Sequence, residues 1–165
     1  MKKCKIIVTA GAIIRDQRGR ILMQKRSDHG NWGLPGGGME PGEAIEETMT
    51  REIYEETGLF VEQHELYSIY SGERMQYTYA DGNEVAIVMF LFNAKVNLNG
   101  KLAEDGKTLM HQDNSHESLS LEFQSLEQID IKDISTVQRP VFEDLLLRKI
   151  KFAAKKGSES AGHDS

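Results

Sequence analysis

The sequence lacks most of what would tie it to an oxidising compartment, a membrane or a nucleic-acid polymer. Cys4 is its single cysteine, which excludes an internal disulfide and favours a reducing, cytoplasmic setting. No apolar run approaches the roughly 18–20 residues that span a bilayer, so no membrane partner is expected. The apolar start is interrupted at Arg15 and Asp16, which favours a strand over a signal peptide. The formal charge of −6 argues against broad binding to nucleic acid.

Composition and patterning indicate one ordinary globular domain. The 165 residues are 39% apolar and 28% charged, which suffices for a buried core. We expect a single domain over residues 1–156 and a small, polar, disordered tail over 157–165. Apolar runs predict strands at 5–15, 21–26, 60–61, 66–71, 77–79, 85–92 and 118–123. The run 85–92 is apolar on both faces, so it is predicted to be central.

Three connecting and terminal segments complete this prediction. The turn at residues 16–19 makes 21–26 the expected hairpin partner of the first strand. Residues 97–116 are polar and are expected to form a mobile excursion. Pro140 fits the first turn of a C-terminal helix. The apolar side chains assigned to that helix are Val141, Leu145, Leu146, Ile150 and Phe152.

The clearest helix covers residues 43–57. This segment contains neither glycine nor proline, and Gly58 follows where a C-cap glycine belongs. On a helical wheel Ile45, Met49 and Ile53 form the buried face. The side chains expected to face water are Glu46, Glu47, Thr50, Tyr54 and Thr57.

The same wheel directs the carboxylates of Glu52, Glu55 and Glu56 along or into the edge of the buried face. Carboxylates at i, i+3 and i+4 repel one another, and burial strengthens the repulsion. Arg51 is the only basic residue of the helix, and one charge cannot balance three. A divalent cation can, and oxygen-only ligands favour Mg²⁺ or Mn²⁺. The alternative is a solvated acidic helix face that binds no metal.

One spaced motif begins at Gly37, continues after five residues with Glu43, and after seven more with the run Arg51-Glu52-Ile53-Tyr54-Glu55-Glu56-Thr57-Gly58-Leu59. This motif resembles the Nudix hydrolase signature and agrees with it at every defined position. The preceding run Trp32-Gly33-Leu34-Pro35-Gly36-Gly37 also resembles the lead-in of that family, and a looser likeness reaches from about Val8 to Leu146. The resemblance implies an α/β (α+β) fold, an α/β/α sandwich around a mixed β-sheet with a loop–helix–loop catalytic motif.

The resemblance also implies a reaction, in which water attacks a phosphorus atom of a small nucleotide. The expected substrate is a nucleoside diphosphate linked to another moiety, ADP-ribose-like or related; the alternative is a nucleoside triphosphate, oxidised forms included. By position, Glu52, Glu55, Glu56 and the carbonyl of Gly37 would hold Mg²⁺, or Mn²⁺ as a substitute. Glu52 would be a candidate base and Arg51 would orient the carboxylates. A homodimer is plausible by analogy.

Five further residues are indicated less sharply. A distal metal ligand or base is expected at Glu117 or, as second choice, at Glu122. Arg26 is expected to contact phosphate, and Tyr77 and Tyr79 to line a nucleoside pocket. The alternative for each is an ordinary exposed side chain without a role in the site.

Two other functional classes are compatible with the sequence. One is a catalytically silent nucleotide sensor that retains the fold, and the other is an adaptor with a structural acidic helix. The full set of signature glutamates favours the enzyme over the sensor. The adaptor leaves the glycine run 36–38 unexplained.

Overall fold

The computed structural model describes residues 4–26, 31–111 and 118–148. The strands within these ranges are β1 Cys4–Ile14, β2 Ile21–Arg26, β3 Trp32–Gly33, β4 Gly36–Gly38, β5 Val61–Tyr70, β6 Gln76–Thr78, β7 Glu84–Val96 and β8 Ser118–Gln124. The first helix, α1, is Ile45–Thr57. A second helix, α2, covers the described residues 139–148. Among the described residues, neither helix combines the length and apolar character needed to cross a membrane.

A mixed sheet forms the centre of the domain. Its strand order is β4-β1-β7-β5, and β6 also pairs with β7. β1 and β7 run parallel from Cys4 opposite Glu84 to Ile14 opposite Ala94, whereas the other pairs are antiparallel. The predicted central position of the segment 85–92 is therefore confirmed.

The two helices cover opposite faces of this sheet. Met49 and Ile53 of α1 pack with Ala12 and Phe92, while α2 packs against the other face, which Leu91 belongs to. The buried side chains that α2 contributes are Val141, Phe142 and Leu145. This arrangement confirms the expected α/β/α sandwich. Ile150 and Phe152, also assigned to this helix, lie outside the described residues.

The predicted hairpin between the first two strands is wrong. β2 meets β1 at the Arg15–Ile21 bridge alone and otherwise belongs to a separate sheet of order β3-β2-β8. The physical reason is that β4 and β7 occupy both edges of β1. Asp16 redirects the chain, because its carboxylate accepts the backbone N–H groups of Arg18 and Arg20 at 2.9 Å each.

The segment 97–111 is more ordered than its polar composition predicts. Leu109 is 4% exposed, and it pairs with Leu102 across an isolated bridge. Arg20 donates to the carbonyl of Gly106 at 2.9 Å, which fixes the turn from outside. The expectation of a mobile excursion therefore fails for this part, and residues 112–117 lie outside the described ranges.

Helix α1 begins later than expected but ends as predicted. Glu43 precedes the helix, and its carboxylate accepts the Glu40 N–H at 2.8 Å and the Thr48 hydroxyl at 3.0 Å. Gly58 adopts φ 72° and donates to the carbonyl of Tyr54 at 2.8 Å, as a C-cap glycine does. Thr57, expected to face water, is 2% exposed, because its hydroxyl bonds the last turn and accepts the Leu59 N–H.

Candidate active site

A cleft of about 480 Å³ opens where the glycine strand β4 faces the C-terminal half of α1. One end is acidic and carries Glu52, Glu55 and Glu56 opposite the glycines 36–38. The sheet order β4-β1-β7 places β1 between the glycines and β7, so β7 lines the opposite end of the cleft, and the turn before α2 also contributes to the lining. The apolar lining residues are Ile87, Met89, Leu91 and Val137. The cleft therefore has the polarity of a molecule with a charged half and an apolar half.

The three glutamates differ in how deeply they are buried. Glu56 is 2% exposed, and one of its carboxylate oxygens, Oε2, accepts the Gly36 N–H at 2.8 Å. The side chain of Glu52 is 15% exposed, whereas that of Glu55 is 54% exposed. The predicted direction toward the core edge holds for Glu56 and Glu52, while Glu55 stays at the rim with access to solvent.

Gly37 lies directly against the carboxylate of Glu52. A Cβ at this position would lie 2.6 Å from both carboxylate oxygens, closer than such atoms can approach. Any side chain here would occupy the space between the loop backbone and Glu52. The absence of a side chain therefore lets the backbone at Gly37 lie against the Glu52 carboxylate.

Arg51 connects the carboxylates of this region. Its guanidinium donates to Glu43 at 2.6 Å, to Glu52 at 2.9 Å and to Glu55 at 3.2 Å, and also to the carbonyl of Gly38 at 3.0 Å. The hydrogen bond from Arg51 is the main cause that lowers the pKa of Glu43 to about 2. The same bond raises the pKa of Arg51, so both groups stay charged. Arg51 thus holds the acidic end together.

The donor chemistry of the acidic end suits a hard divalent cation. All side-chain donors are carboxylate oxygens, and the adjoining loop supplies backbone oxygens. Within the described ranges, no three His, Cys, Asp or Glu side chains already converge as a closed metal cage. Nη1 of Arg51 donates to both Glu52 and Glu55, at 2.9 and 3.2 Å. An incomplete cage still fits Mg²⁺, which typically keeps several waters and takes few protein ligands.

The other residues singled out from the sequence are distributed around the molecule. Arg26 lines the cleft. Tyr77 and Tyr79 are not among the described lining residues; their rings contact each other edge to face, with centroids 5.2 Å apart. Glu122 lines a different cleft and accepts a hydrogen bond from Gln124 at 2.9 Å. Glu117 lies outside the described residues.

Several lining residues carried no sequence signal. Thr9 and Met89 face the cleft from adjacent strands, and the Thr9 hydroxyl is buried with no hydrogen-bond partner in the described part of the chain. Gln138 reaches the cleft from the 3₁₀ turn Thr136–Gln138. These residues come from segments far apart in sequence, so only the register of β1 on β7 and the path into α2 could have identified them.

Fold and site together define a class of protein: a mixed sheet between two helices, with a glycine loop facing helical glutamates across a cleft. Residues 5–145 match the NUDIX domain family, and the chain belongs to this family. Nudix hydrolases generally use divalent metal ions. The expected fold class and the resemblance of the segment 37–59 are thereby confirmed.

Individual relatives share part of the sequence and most of the fold. A MutT-like protein of Streptomyces ambofaciens is 44% identical over 64 residues, 39% of this chain and 41% of that protein. The nucleoside triphosphatase NudI of Escherichia fergusonii is 41% identical over 78 residues, 43% of this chain and 55% of that protein. The matched stretches thus span about half the length of these relatives or less. The MutT protein structure from Methanosarcina mazei superposes with a TM-score of 0.64 at 22% identity, covering 90% of this chain and 99% of that one.

Proposed function

We propose that the chain is a Mg²⁺-dependent hydrolase that cleaves a diphosphate bond in a small nucleotide. The observation that carries the proposal is the two-ended cleft, with the signature glutamates at one end and an apolar floor at the other. A nucleotide has the same polarity, because its phosphates are charged and its base has apolar faces. The acidic end repels phosphate unless a cation lies between them. The family's use of divalent metals supports that arrangement.

Glu52, Glu55 and Glu56, with the carbonyl of Gly37, are the proposed ligands of Mg²⁺, for which Mn²⁺ would substitute. When bound, the ion would screen phosphate charge, polarise a P–O bond and lower the pKa of a bound water. The ligands themselves are held in place by the helix and by Arg51. Carboxylates fixed on a rigid helix need little reorganisation before the reaction.

The positions of the chain's own residues support a role for each. Glu52 faces the cleft beside Gly37 and is the proposed base that accepts a proton from the attacking water. Arg51 orients Glu52 and Glu55 through its guanidinium. Arg26 is the proposed phosphate contact, since its positive charge lines the same cleft.

Tyr77 and Tyr79 are proposed to contact the part of the substrate farthest from the phosphates. Tyr77 pairs directly with Val85, so its side chain leaves the sheet on the same face as Val85. Ile87 is two residues farther along β7, lines the cleft and therefore shares that face. The tyrosine pair would extend the apolar end of the cleft toward the sheet edge.

Two substrate classes fit the proposal. The first is a nucleoside diphosphate linked to another moiety, ADP-ribose-like or related. The second is a nucleoside triphosphate, and the name of the E. fergusonii relative specifically favours it. Both place a diphosphate next to a nucleoside, so the acidic end alone does not separate them.

Product analysis by ³¹P NMR tests the proposal. ADP-ribose, the common nucleoside triphosphates and a 5′-triphosphorylated RNA are incubated with Mg²⁺ and, separately, with Mn²⁺. We expect nucleoside monophosphate together with a sugar phosphate in the first class, or together with pyrophosphate in the second. RNA turnover above that of the small nucleotides would contradict the small-molecule assignment. H₂¹⁸O identifies the phosphorus that is attacked.

Calorimetric titration with Mn²⁺ separates the enzyme from the two other functional classes. Binding together with turnover supports the hydrolase. Binding of metal and nucleotide without turnover of any substrate supports a silent sensor. No metal binding, and no change on Glu56→Gln, supports an adaptor with a structural acidic helix.

A cytoplasmic location and a homodimer are further proposals. The location is supported by Cys4, an exposed free thiol of the kind that reducing compartments preserve. The dimer rests on analogy with the family. Light scattering coupled to gel filtration measures the oligomeric state directly.

A further inference from the structure

The side chain of Gln138 binds the backbone of a residue 104 positions away in sequence. Its amide oxygen accepts the Leu34 N–H at 2.5 Å, and its amide nitrogen donates to the Leu34 carbonyl at 3.4 Å. Both polar atoms of the amide are therefore directed at the backbone of one loop residue. Leu34 lies just before the glycines that line the cleft.

Gly33 provides the space that this contact needs. A Cβ at Gly33 would lie 2.8 Å from the amide oxygen, 3.0 Å from the amide carbon and 3.1 Å from the amide nitrogen of Gln138. The amide is the far end of a flexible side chain, so an alanine at position 33 would displace it rather than block folding. Gly33 thus gives an independent means to break the contact.

The loop leads from this contact to the buried glutamate. Pro35 follows Leu34, and its carbonyl accepts the Ala12 N–H at 3.2 Å. Gly36 comes next and donates its N–H to Glu56 at 2.8 Å. Two peptide units separate Leu34 from Gly36, so a displacement of Leu34 would be transmitted to the donor that orients Glu56.

The segment that carries Gln138 is itself firmly placed. Ile134 is fully buried and forms a parallel bridge with Trp32. Ser135 donates its N–H to the Trp32 carbonyl at 2.9 Å. Beyond Gln138 the chain enters α2, which packs on the sheet. Gln138 therefore holds the glycine loop in a fixed position relative to the segment that leads into α2.

We propose that Gln138 is a positioning residue, which fixes the Leu34 peptide and through Gly36 orients the carboxylate of Glu56. The inference rests on the proposed function, because it assigns Glu56 to the catalytic end. Gln138 also lines the cleft, so direct contact with substrate is the competing role. The two roles differ in the kinetic constant that they control.

A double-mutant cycle tests the assignment with the full chain. The variants are Gln138→Ala, Gly33→Ala and the double variant. We expect each single change to lower kcat about tenfold, the scale of a modest misplacement of a catalytic group, and to weaken Mn²⁺ binding several-fold in calorimetry. KM for the turned-over nucleotide should stay within about threefold. The double variant should be no worse than Gln138→Ala alone, because both changes remove the same contact.

Two further variants keep the test decisive. Gln138→Met keeps the volume of the side chain but lacks the amide, so its kcat should equal that of Gln138→Ala. If the alanine variant unfolds, the methionine variant takes its place in the test. Gln128→Ala changes an exposed glutamine of the 3₁₀ turn Leu126–Gln128, outside the cleft, and should match the wild-type chain. Thermal melts establish that each variant is folded.

The outcomes distinguish the two levels of inference. A wild-type chain that neither binds Mn²⁺ nor turns over any nucleotide overturns the proposed function itself. An active wild-type chain with unchanged kcat and Mn²⁺ affinity in Gln138→Ala overturns the positioning role alone. A rise in KM at constant kcat in Gln138→Ala would assign Gln138 to substrate contact instead. Additive effects of Gln138→Ala and Gly33→Ala on kcat would exclude coupling through the contact between these residues.

Discussion

The two ends of the cleft are built in different ways. The acidic end comes from one continuous stretch, residues 36–56, in which a glycine loop leads into a helix. The apolar end is assembled from β1, β7 and the turn before α2, which are separate in sequence. The residues of the proposed chemistry are therefore encoded locally, whereas the proposed substrate contacts depend on how distant segments meet. Substitutions at the acidic end should therefore change kcat, and those of the apolar side chains that β7 contributes to the cleft should change KM.

Glu56→Gln gives the largest expected effect. The amide keeps an oxygen that can accept the Gly36 N–H but removes the negative charge. We expect turnover to fall by at least about a hundredfold, the scale of a lost electrostatic contribution to the transition state. The fold should survive, because the change removes one member of a repelling cluster. Steady-state kinetics and a circular-dichroism melt measure both.

Glu46→Gln is the matched control for this prediction. Glu46 lies on the exposed side of the same helix and outside the cleft. Its substitution should leave turnover within about twofold, since exposed sites of this kind have small effects. Near-full turnover by Glu56→Gln, or an equal loss of turnover in Glu56→Gln and Glu46→Gln, would contradict a special role for the acidic end.

Gly37→Ala tests the acidic end by steric means. The new methyl group would collide with the Glu52 carboxylate, whereas Gly38 has nothing within 4 Å of the equivalent position. We expect Gly37→Ala to lower kcat by about ten- to thirtyfold through displacement of Glu52. Gly38→Ala, one residue along the same strand, should stay close to wild type. Equal kinetics for the two alanine variants would show that the Glu52 contact is unimportant.

Local patterns predicted the acidic end nearly in full. The helix, its C-cap glycine and the inward direction of Glu52 and Glu56 follow from a period of 3.6 residues and from glycine at one position. The exposed position of Glu55 was not resolved by the wheel, on which Glu55 differs in direction from Glu52 by only about 60°. Thr57 was misplaced, since the wheel does not include the chain reversal after the last turn.

Features that depend on pairing between distant segments could not be predicted from local patterns. The two faces of the sheet were expected, but the separation of β2 into a second sheet depends on β4 and β7 taking both edges of β1. Gln138 lies in a polar turn with no distinguishing composition. Its partner is a backbone peptide, which leaves no trace in the pattern of side chains.

Ile87→Ala examines the apolar end. Ile87 is half-buried and lines the cleft, while Val88 is half-buried on the opposite face of the same strand. We expect KM to rise about fivefold with little change in kcat, as lost apolar contact to a bound substrate produces. Val88→Ala should leave KM unchanged. A fall in kcat without a change in KM would contradict the division between the two ends.

Glu43 gives the smallest effect and separates an architectural carboxylate from the proposed catalytic ones. Arg51 lowers the pKa of Glu43 from 4.5 to about 2, so the charged form is the one that the fold stabilises. Its contribution to stability is therefore fully present above pH 4.5 and is lost as the pH falls from 4.5 toward 2. The measurement is the melting temperature of wild type and of Glu43→Gln between pH 7 and pH 3.

The melting temperatures of wild type and of Glu43→Gln should differ by a constant amount from pH 7 down to about pH 5. Below pH 5 this difference should become smaller. In an Arg51→Met background the narrowing should largely disappear, because the Arg51 hydrogen bond is the main cause of the lowered pKa. If the difference in melting temperature stays constant down to pH 3, the charge of Glu43 does not contribute to the stability of the fold. The ion pair between Glu43 and Arg51 would then not help to position the acidic end, and Arg51 would orient Glu52 and Glu55 alone.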